Sequence, residues 1–298
     1  MNAAGPTLAD RLGCLPQYLL PQRRLTRLVY RLTRIRTPWF KNALIRVFRA
    51  AFRVDLDEAE SPDPHAYAHF NAFFTRALRA GSRPLSDAGA CCPVDGTVSQ
   101  AGRIEAERLY QAKGRDYTLS ELLADETMAR AFHDGHFATL YLAPRDYHRI
   151  HMPVAGQLVR MIHIPGRLFS VSPLTTRVIP RLFARNERVV CLFDTDHGPL
   201  GLVLVGAINV ASIETVWAGA ITPPLGTAVQ RWDYPAEGAQ QVSLARGAEL
   251  GRFNMGSTVI VLTAAGALRL ADGIRPGARV RMGQALGQFL DSGEDPSC

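Results

Sequence analysis

Three short stretches carry side chains that could act together on an acyl bond. "PVDGTV" sets Asp95 just before a Gly turn, "YLAPRDYHRIHMP" holds His148 and His151 on one short segment, and "NMGST" offers Ser257 where an apolar run begins. An imidazole can take the proton from a hydroxyl, and a carboxylate can hold that imidazole and favour its charged form. Asp95, a histidine and Ser257 are therefore the residue types that make a serine nucleophile, although sequence alone does not bring them together in space. The histidines also admit a metal reading, since H-x-x-H with His163 nearby supplies imidazoles, the commonest zinc donors. No HExxH and no cysteine cluster accompanies it. Plainer alternatives stay open: a hydrogen-bonded structural histidine, and a turn carboxylate at Asp95. Gly256-Ser257 likewise reads either as a turn before a strand or as a peptide bond on which the protein itself works.

Two kinds of element must position these groups. From Cys92 onward, short β-branched runs alternate with Gly, Pro and Asp, as in "FATLYLAP", "RVVCLFDT", "GLVLVGAINVASIETVWAG" and "STVIVLTA". A helix is expected over Ser120–Phe132, and the C-terminal "IRPGARVRMGQALGQF" reads as a β-hairpin. The N-terminal part is helical by its spacing. Leu25, Leu28, Val29, Leu32 and Ile35 share one face, with Arg24, Arg27, Arg31 and Arg34 on a neighbouring arc. A second apolar set (Trp39, Phe40, Leu44, Ile45, Val47, Phe48 and Phe52) follows Pro38, and a third helix is predicted over His69–Ala80, ending at Gly81. The expected class is α+β: N-terminal amphipathic helices, then a β-rich catalytic domain. Residues 1–64 form the basic helical region, with Asp55–Pro64 as linker, and residues 65–298 the β-rich domain.

The charge is uneven. Residues 1–53 hold eleven Lys/Arg against one acid, Asp10, a net +10 that leaves −3 for the rest of a 298-residue chain totalling +7. Basic residues flanking an apolar face with Trp and Phe suit a helix lying in a membrane surface, where the arginines meet anionic headgroups. A helix packed on its own domain and a nucleic-acid contact are the competing readings. Five cysteines (Cys14, Cys91, Cys92, Cys191 and Cys298), odd in number and without CxxC spacing, argue against a disulfide framework and for a reducing compartment. No secretory signal is visible at the start. The longest uncharged apolar run, Pro199–Ile213, falls short of the roughly 20 residues that span a bilayer, so no membrane crossing is expected.

Taken together, "YLAPRDYHRIHMP", "PGRLFSVSP", "LFARNERVVCLFDT", "VGAINVASIETVWAG" and "GRFNMGSTVI" resemble the phosphatidylserine decarboxylases of the bacterial, membrane-associated type, over about Cys14 to Leu270. The resemblance implies a pyruvoyl enzyme that cleaves itself at a Gly-Ser bond. The usual tripeptide there is Leu-Gly-Ser; this chain has Met255-Gly256-Ser257, a change that keeps volume and apolarity. Asp95, His151 and Ser257 are implied as the self-cleavage relay, with the cut between Gly256 and Ser257. Ser257 would become the pyruvoyl cofactor, which forms a Schiff base with the substrate amine and accepts electrons as CO2 leaves. His148 would transfer the proton in decarboxylation, and Tyr141 and Ser170 would contact substrate.

The implied products are a β chain of residues 1–256 and an α chain of residues 257–298, held as a heterodimer that forms a homo-oligomer. The partner is phosphatidylserine in the membrane. With a lipid as substrate, the basic helices favour membrane attachment, peripheral and on the cytoplasmic face, over nucleic acid, and no metal is expected. A metal-dependent hydrolase using His148, His151 and Asp95, and a non-catalytic membrane module, are the remaining alternatives; both would keep the chain uncut.

Overall fold

The computed structural model describes residues 7–112, 114–208, 212–222, 227–255 and 257–290, with Ser257 described in its backbone alone. Helices α1 (Leu8–Cys14), α2 (Pro16–Leu19), α3 (Gln22–Leu32) and α4 (Pro38–Phe52) fill the basic N-terminal region. Thr7 and Asp10 form a reciprocal capping box at α1, and proline stands in the first turn of α2 and α4, where its missing N–H costs no hydrogen bond. These periodic segments follow the sequence reading.

The third helix is shorter than its predicted span. Only α5 (Phe70–Phe74) forms, with His69 Nδ1 accepting from Ala72 N at 3.0 Å. Backbone pairing from elsewhere takes the remainder: Glu60 N donates to Ala77 O, Arg79 N donates to Glu58 O, and Ala59 bridges Leu78. Asp55–Pro64 is thus no loose linker. Leu56 and Ala59 are buried in a small core with Ile45, Val54, Phe70, Phe73 and Phe74, against which Leu44, Phe48, Tyr67 and Met255 pack. Each fully buried Phe contributes about 1.5–3 kcal/mol relative to exposure. This core draws on both sides of the boundary expected at residue 64.

The β-rich part begins with β1 (Ala90–Cys91), β2 (Gly96–Arg103), β3 (Arg108–Ala112) and β4 (Arg115–Thr118). Where one helix was expected over Ser120–Phe132, there are two, α6 (Leu119–Leu123) and α7 (Glu126–Arg130). Ala124 ends the first in the left-handed region at φ +52°, and the Asp125 side chain caps the second, so the capping preference of Asp outweighs helix continuation. Then come β5 (His136–Leu142), β6 (Arg149–His151), β7 (Gly156–Ile164), α8 (Pro173–Val178), α9 (Leu182–Arg185), β8 (Arg188–Asp194), β9 (Leu200–Val205), β10 (Ile213–Thr215), β11 (Gly219–Thr222), β12 (Gln230–Asp233), β13 (Ser243–Leu244), β14 (Glu249–Phe253), β15 (Ser257–Thr263), β16 (Leu268–Leu270), β17 (Arg279–Val280) and β18 (Ala285–Phe289).

The main sheet is antiparallel, in the order β12-β7-β8-β9-β15-β5-β2-β17, with β13 also pairing β7. Its β-branched strands β8, β9 and β15 line the main core. A second sheet runs β11-β10-β14-β6, a third β1-β18-β16, and β3 pairs β4. The C-terminal hairpin does not form. β17 pairs β2, whereas β18 lies between β1 and β16, so strands distant in sequence outcompete the local turn.

Candidate active site

Ser257 opens β15 opposite Leu142, the last residue of β5, and Thr258 lies between Tyr141 and Val205. The segment before it is tied down tightly. Phe253 N donates to His148 O at 3.1 Å. Asn254 is fully buried: its backbone N donates to Ser212 O at 2.9 Å, its amide donates to Glu214 Oε1 at 2.8 Å, and its Oδ1 accepts from Asn71 at 2.7 Å. Met255 then takes φ +106°, which L side chains rarely adopt, at a cost of about 1–3 kcal/mol. Gly256 lies outside the described residues, as does the side chain of Ser257.

Gly96, read as a turn after Asp95, instead opens β2. A Cβ there would stand 2.4 Å from Tyr141 O, so only glycine lets β2 press onto the end of β5. That close approach sets Asp95 beside the segment carrying both histidines, and Pro93 O accepts from His151 N at 2.9 Å. The Asp95 carboxylate nevertheless does not hold an imidazole in this structure. Arg83 grips it through two hydrogen bonds of 2.9 and 2.6 Å, and Met282 N donates a third at 2.9 Å.

His151 takes its orientation elsewhere. Its Nδ1–H donates to Gly247 O at 2.8 Å, which leaves the Nε2 lone pair to accept from the Tyr147 hydroxyl at 3.0 Å. Burial first of all lowers the pKa of His151, and burial pushes Tyr147 up to about 12, so a neutral imidazole faces a protonated phenol. His148 is fully buried under the Phe74 ring, 4.1 Å between centroids. Its Nδ1–H donates to Asp146 O at 2.7 Å, and its Nε2 has no hydrogen-bond partner among the described residues. Burial, only partly offset by that carbonyl, lowers its pKa to about 3. A buried imidazole with a free lone pair is able to take or pass a proton.

The other expected site residues lie as follows. Tyr141, half-buried on β5, lines a cavity of about 210 Å³ with Gln111 and Arg177. Ser170 meets the N-terminal helices through its backbone, its N donating to Gln17 Oε1 at 2.8 Å, while its Oγ accepts from Ser172 N. His163 is buried on β7 with Nε2 3.0 Å from Glu187, and among the described residues no three His, Cys, Asp or Glu side chains are grouped to hold a metal. Cys14, Cys91, Cys92 and Cys191 are buried and free, and Cys298 lies outside the described residues. Sequence reasoning missed Tyr147, Gly247, Arg83, Asn71 and Asn254; of these, Tyr147 and Asn254 stood inside quoted motifs.

Compared with known proteins, the sequence falls among phosphatidylserine decarboxylase proenzymes. A family model described as phosphatidylserine decarboxylase matches residues 70–288, and one described as PSD matches residues 12–53. The chain is 54% identical over 284 residues to the phosphatidylserine decarboxylase proenzyme of Azotobacter vinelandii, covering 94% of this chain and 99% of that one. It is 58% identical over 256 residues to the protein so named in Alkalilimnicola ehrlichii, covering 85% and 88%. With that of Methylococcus capsulatus it shares 56% over 274 residues, covering 91% and 94%. The chain belongs to the phosphatidylserine decarboxylase family.

Proposed function

We infer that this chain removes CO2 from phosphatidylserine to give phosphatidylethanolamine, after severing itself between Gly256 and Ser257. Family membership carries this reading: the match over residues 70–288 includes every residue assigned a role. In maturation, Ser257 Oγ gives up its proton to His151 Nε2 and attacks the Gly256 carbonyl, exchanging the amide for an ester. Tyr147 must release that lone pair first. β-Elimination then frees the Gly256 carboxylate and leaves a dehydroalanine at 257, which water converts to pyruvoyl with loss of ammonia. The positive φ at Met255, one residue before the bond to be broken, supports this site, since strained backbone clusters where chemistry is done. Asp95 acts on the relay through its charge and through the Pro93 backbone.

The residues around Ser257 suit a pyruvoyl group, since the Nε2 of buried His148, without a hydrogen-bond partner among the described residues, is the kind of proton carrier its chemistry needs. That group supplies an electron sink when carbon dioxide leaves. His148 receives and returns the proton at Nε2 while Asp146 O fixes its tautomer, and Phe74 excludes water from it. Tyr141 stands close enough to the start of β15 to contact substrate, and Ser170 supports the docking of α2 more directly than a substrate contact.

The basic, partly apolar N-terminal helices support a peripheral attachment to the cell membrane, which we assign to its cytoplasmic face. No helix among the described residues is long and apolar enough to cross it. Leu8, Leu12, Leu19, Leu28, Trp39 and Val47 are all exposed on these helices, amid the eleven basic residues. That combination suits an interfacial attachment.

Intact mass after denaturing electrophoresis tests the reading. Two chains are expected, the smaller starting at residue 257 with a blocked, carbonyl-reactive end. Ser257→Ala should stay whole and inactive. His148→Ala should still be cut but lose about 10²–10⁴-fold in decarboxylation. A single unbroken chain with full activity would overturn the proposal.

A further inference from the structure

Beside the two histidines lies a cleft of about 300 Å³ whose walls include Asp95 and Tyr147. Six guanidinium groups face four carboxylates there. Three are matched: Arg83 pairs with Asp95 and Glu58, Arg279 with Asp146, and Arg281 with Glu58. Arg53, Arg76 and Arg145 have no carboxylate within ion-pair distance among the described residues. Arg76 stands apart because it is only 6% exposed. Its Nη2 donates to Arg145 O at 3.3 Å, its guanidinium lies 5.8 Å from the Phe73 ring centroid, and its Nε has no hydrogen-bond partner among the described residues. Leaving a buried cation unpaired costs several kcal/mol, so a protein that keeps one beside its reaction centre has an anion to receive.

Resting on the proposed decarboxylation, we propose that Arg76 binds the phosphodiester of the lipid headgroup in this cleft, with Arg145 at its rim. The placement fits the substrate. Arg76 follows Phe74, which covers His148, by two residues, and Tyr147, which bonds His151, lines the same cleft. In the headgroup the diester sits one short carbon linker from the carboxylate to be lost, so a phosphate held here presents the serine to the histidines. Arg53, also in the wall, is the residue that ends α4, so the cleft opens where the membrane-facing helix stops. A planar guanidinium donates two parallel hydrogen bonds to a phosphate, a geometry that lysine lacks.

The test uses the full chain with dispersed phosphatidylserine as substrate, and glycerophosphoserine or inorganic phosphate as competitor. Arg76→Gln should be cut between 256 and 257 like the parent. Its KM should rise about tenfold to a hundredfold while kcat changes much less, and glycerophosphoserine should cease to compete. Arg76→Lys should fall between the two. An unchanged KM with unchanged competition in Arg76→Gln overturns the assignment. Inorganic phosphate competing as well as glycerophosphoserine overturns the headgroup and points to free phosphate. Should Arg76→Gln fail to fold, Arg145→Gln carries the test: weakened glycerophosphoserine competition supports the site, and unchanged competition overturns it. A parent chain that neither splits nor decarboxylates would defeat the proposed function instead, and calorimetric titration of glycerophosphoserine into parent and Arg76→Gln still reads the cleft by itself.

Discussion

His148 and His151 stand on the same short segment, yet different carbonyls, Asp146 O and Gly247 O, fix their tautomers. Both present a neutral imidazole with Nε2 as acceptor, and the difference lies in what meets that nitrogen: Tyr147 for His151, and no described partner for His148. The same burial has a cost in acid. His148 titrates near 6.5 when unfolded and at about 3 when folded, so between these values the unfolded chain binds more protons and stability rises with pH. This contribution is whole above 6.5 and is lost as pH falls towards about 3; the downward shift of His151 acts in the same direction. Urea midpoints measured from about pH 7 to about pH 5 should therefore fall, and His148→Gln should flatten that slope by up to one proton. An identical slope in the variant would show that His148 is not buried neutral.

At the scale of elements, the start of β15 is held by a chain of polar contacts that ties it to the N-terminal helices. Thr33, at the end of α3, accepts from Asn71 N, Asn71 reaches Asn254, and Asn254 reaches Glu214, with Arg34 3.9 Å from that carboxylate. Asn254→Ala strands the Asn71 amide and a Glu214 oxygen, so it should cost about 1–3 kcal/mol and slow the appearance of the 257–298 fragment. A thermal midpoint equal to the parent's would deny the chain that role. None of this was readable from the residues in order. α3 and α4 were, because their apolar faces repeat over several turns and Pro38 marks a start. So were β8, β9 and β15, whose β-branched runs suit a buried sheet. The end of α5, the break between α6 and α7 and the fates of β17 and β18 were set by partners far along the chain, which local pattern does not carry. The site divides the same way. Asp95, His148, His151 and Ser257 announce themselves by type and motif, whereas Gly247, 96 residues from His151, and Arg83, the actual holder of Asp95, do not.

For the whole molecule, charge and surface apolarity coincide at one end. A net +10 over residues 1–53 and the exposed Leu8, Leu19, Trp39 and Val47 belong to the same helices. Binding to vesicles containing anionic lipid should weaken steeply with added salt, since each basic residue at such a surface is worth about 1 kcal/mol and is screened by ions. Flotation with anionic and neutral vesicles at low and high salt measures it, and indifference to both variables would refute the interfacial attachment. The position of β15 has its own outcome. It is no edge strand: seven of its residues pair with β5 and six with β9, in the middle of the main sheet. A chain cut before Ser257 has folded as one piece and then lost the tether that delivered its central strand. Threading that strand back would require two separate molecules to meet, one of them with an opened core. Melting of the mature enzyme should accordingly be a one-way event, with its lifetime governed by how fast it comes apart rather than by any equilibrium with a refoldable state.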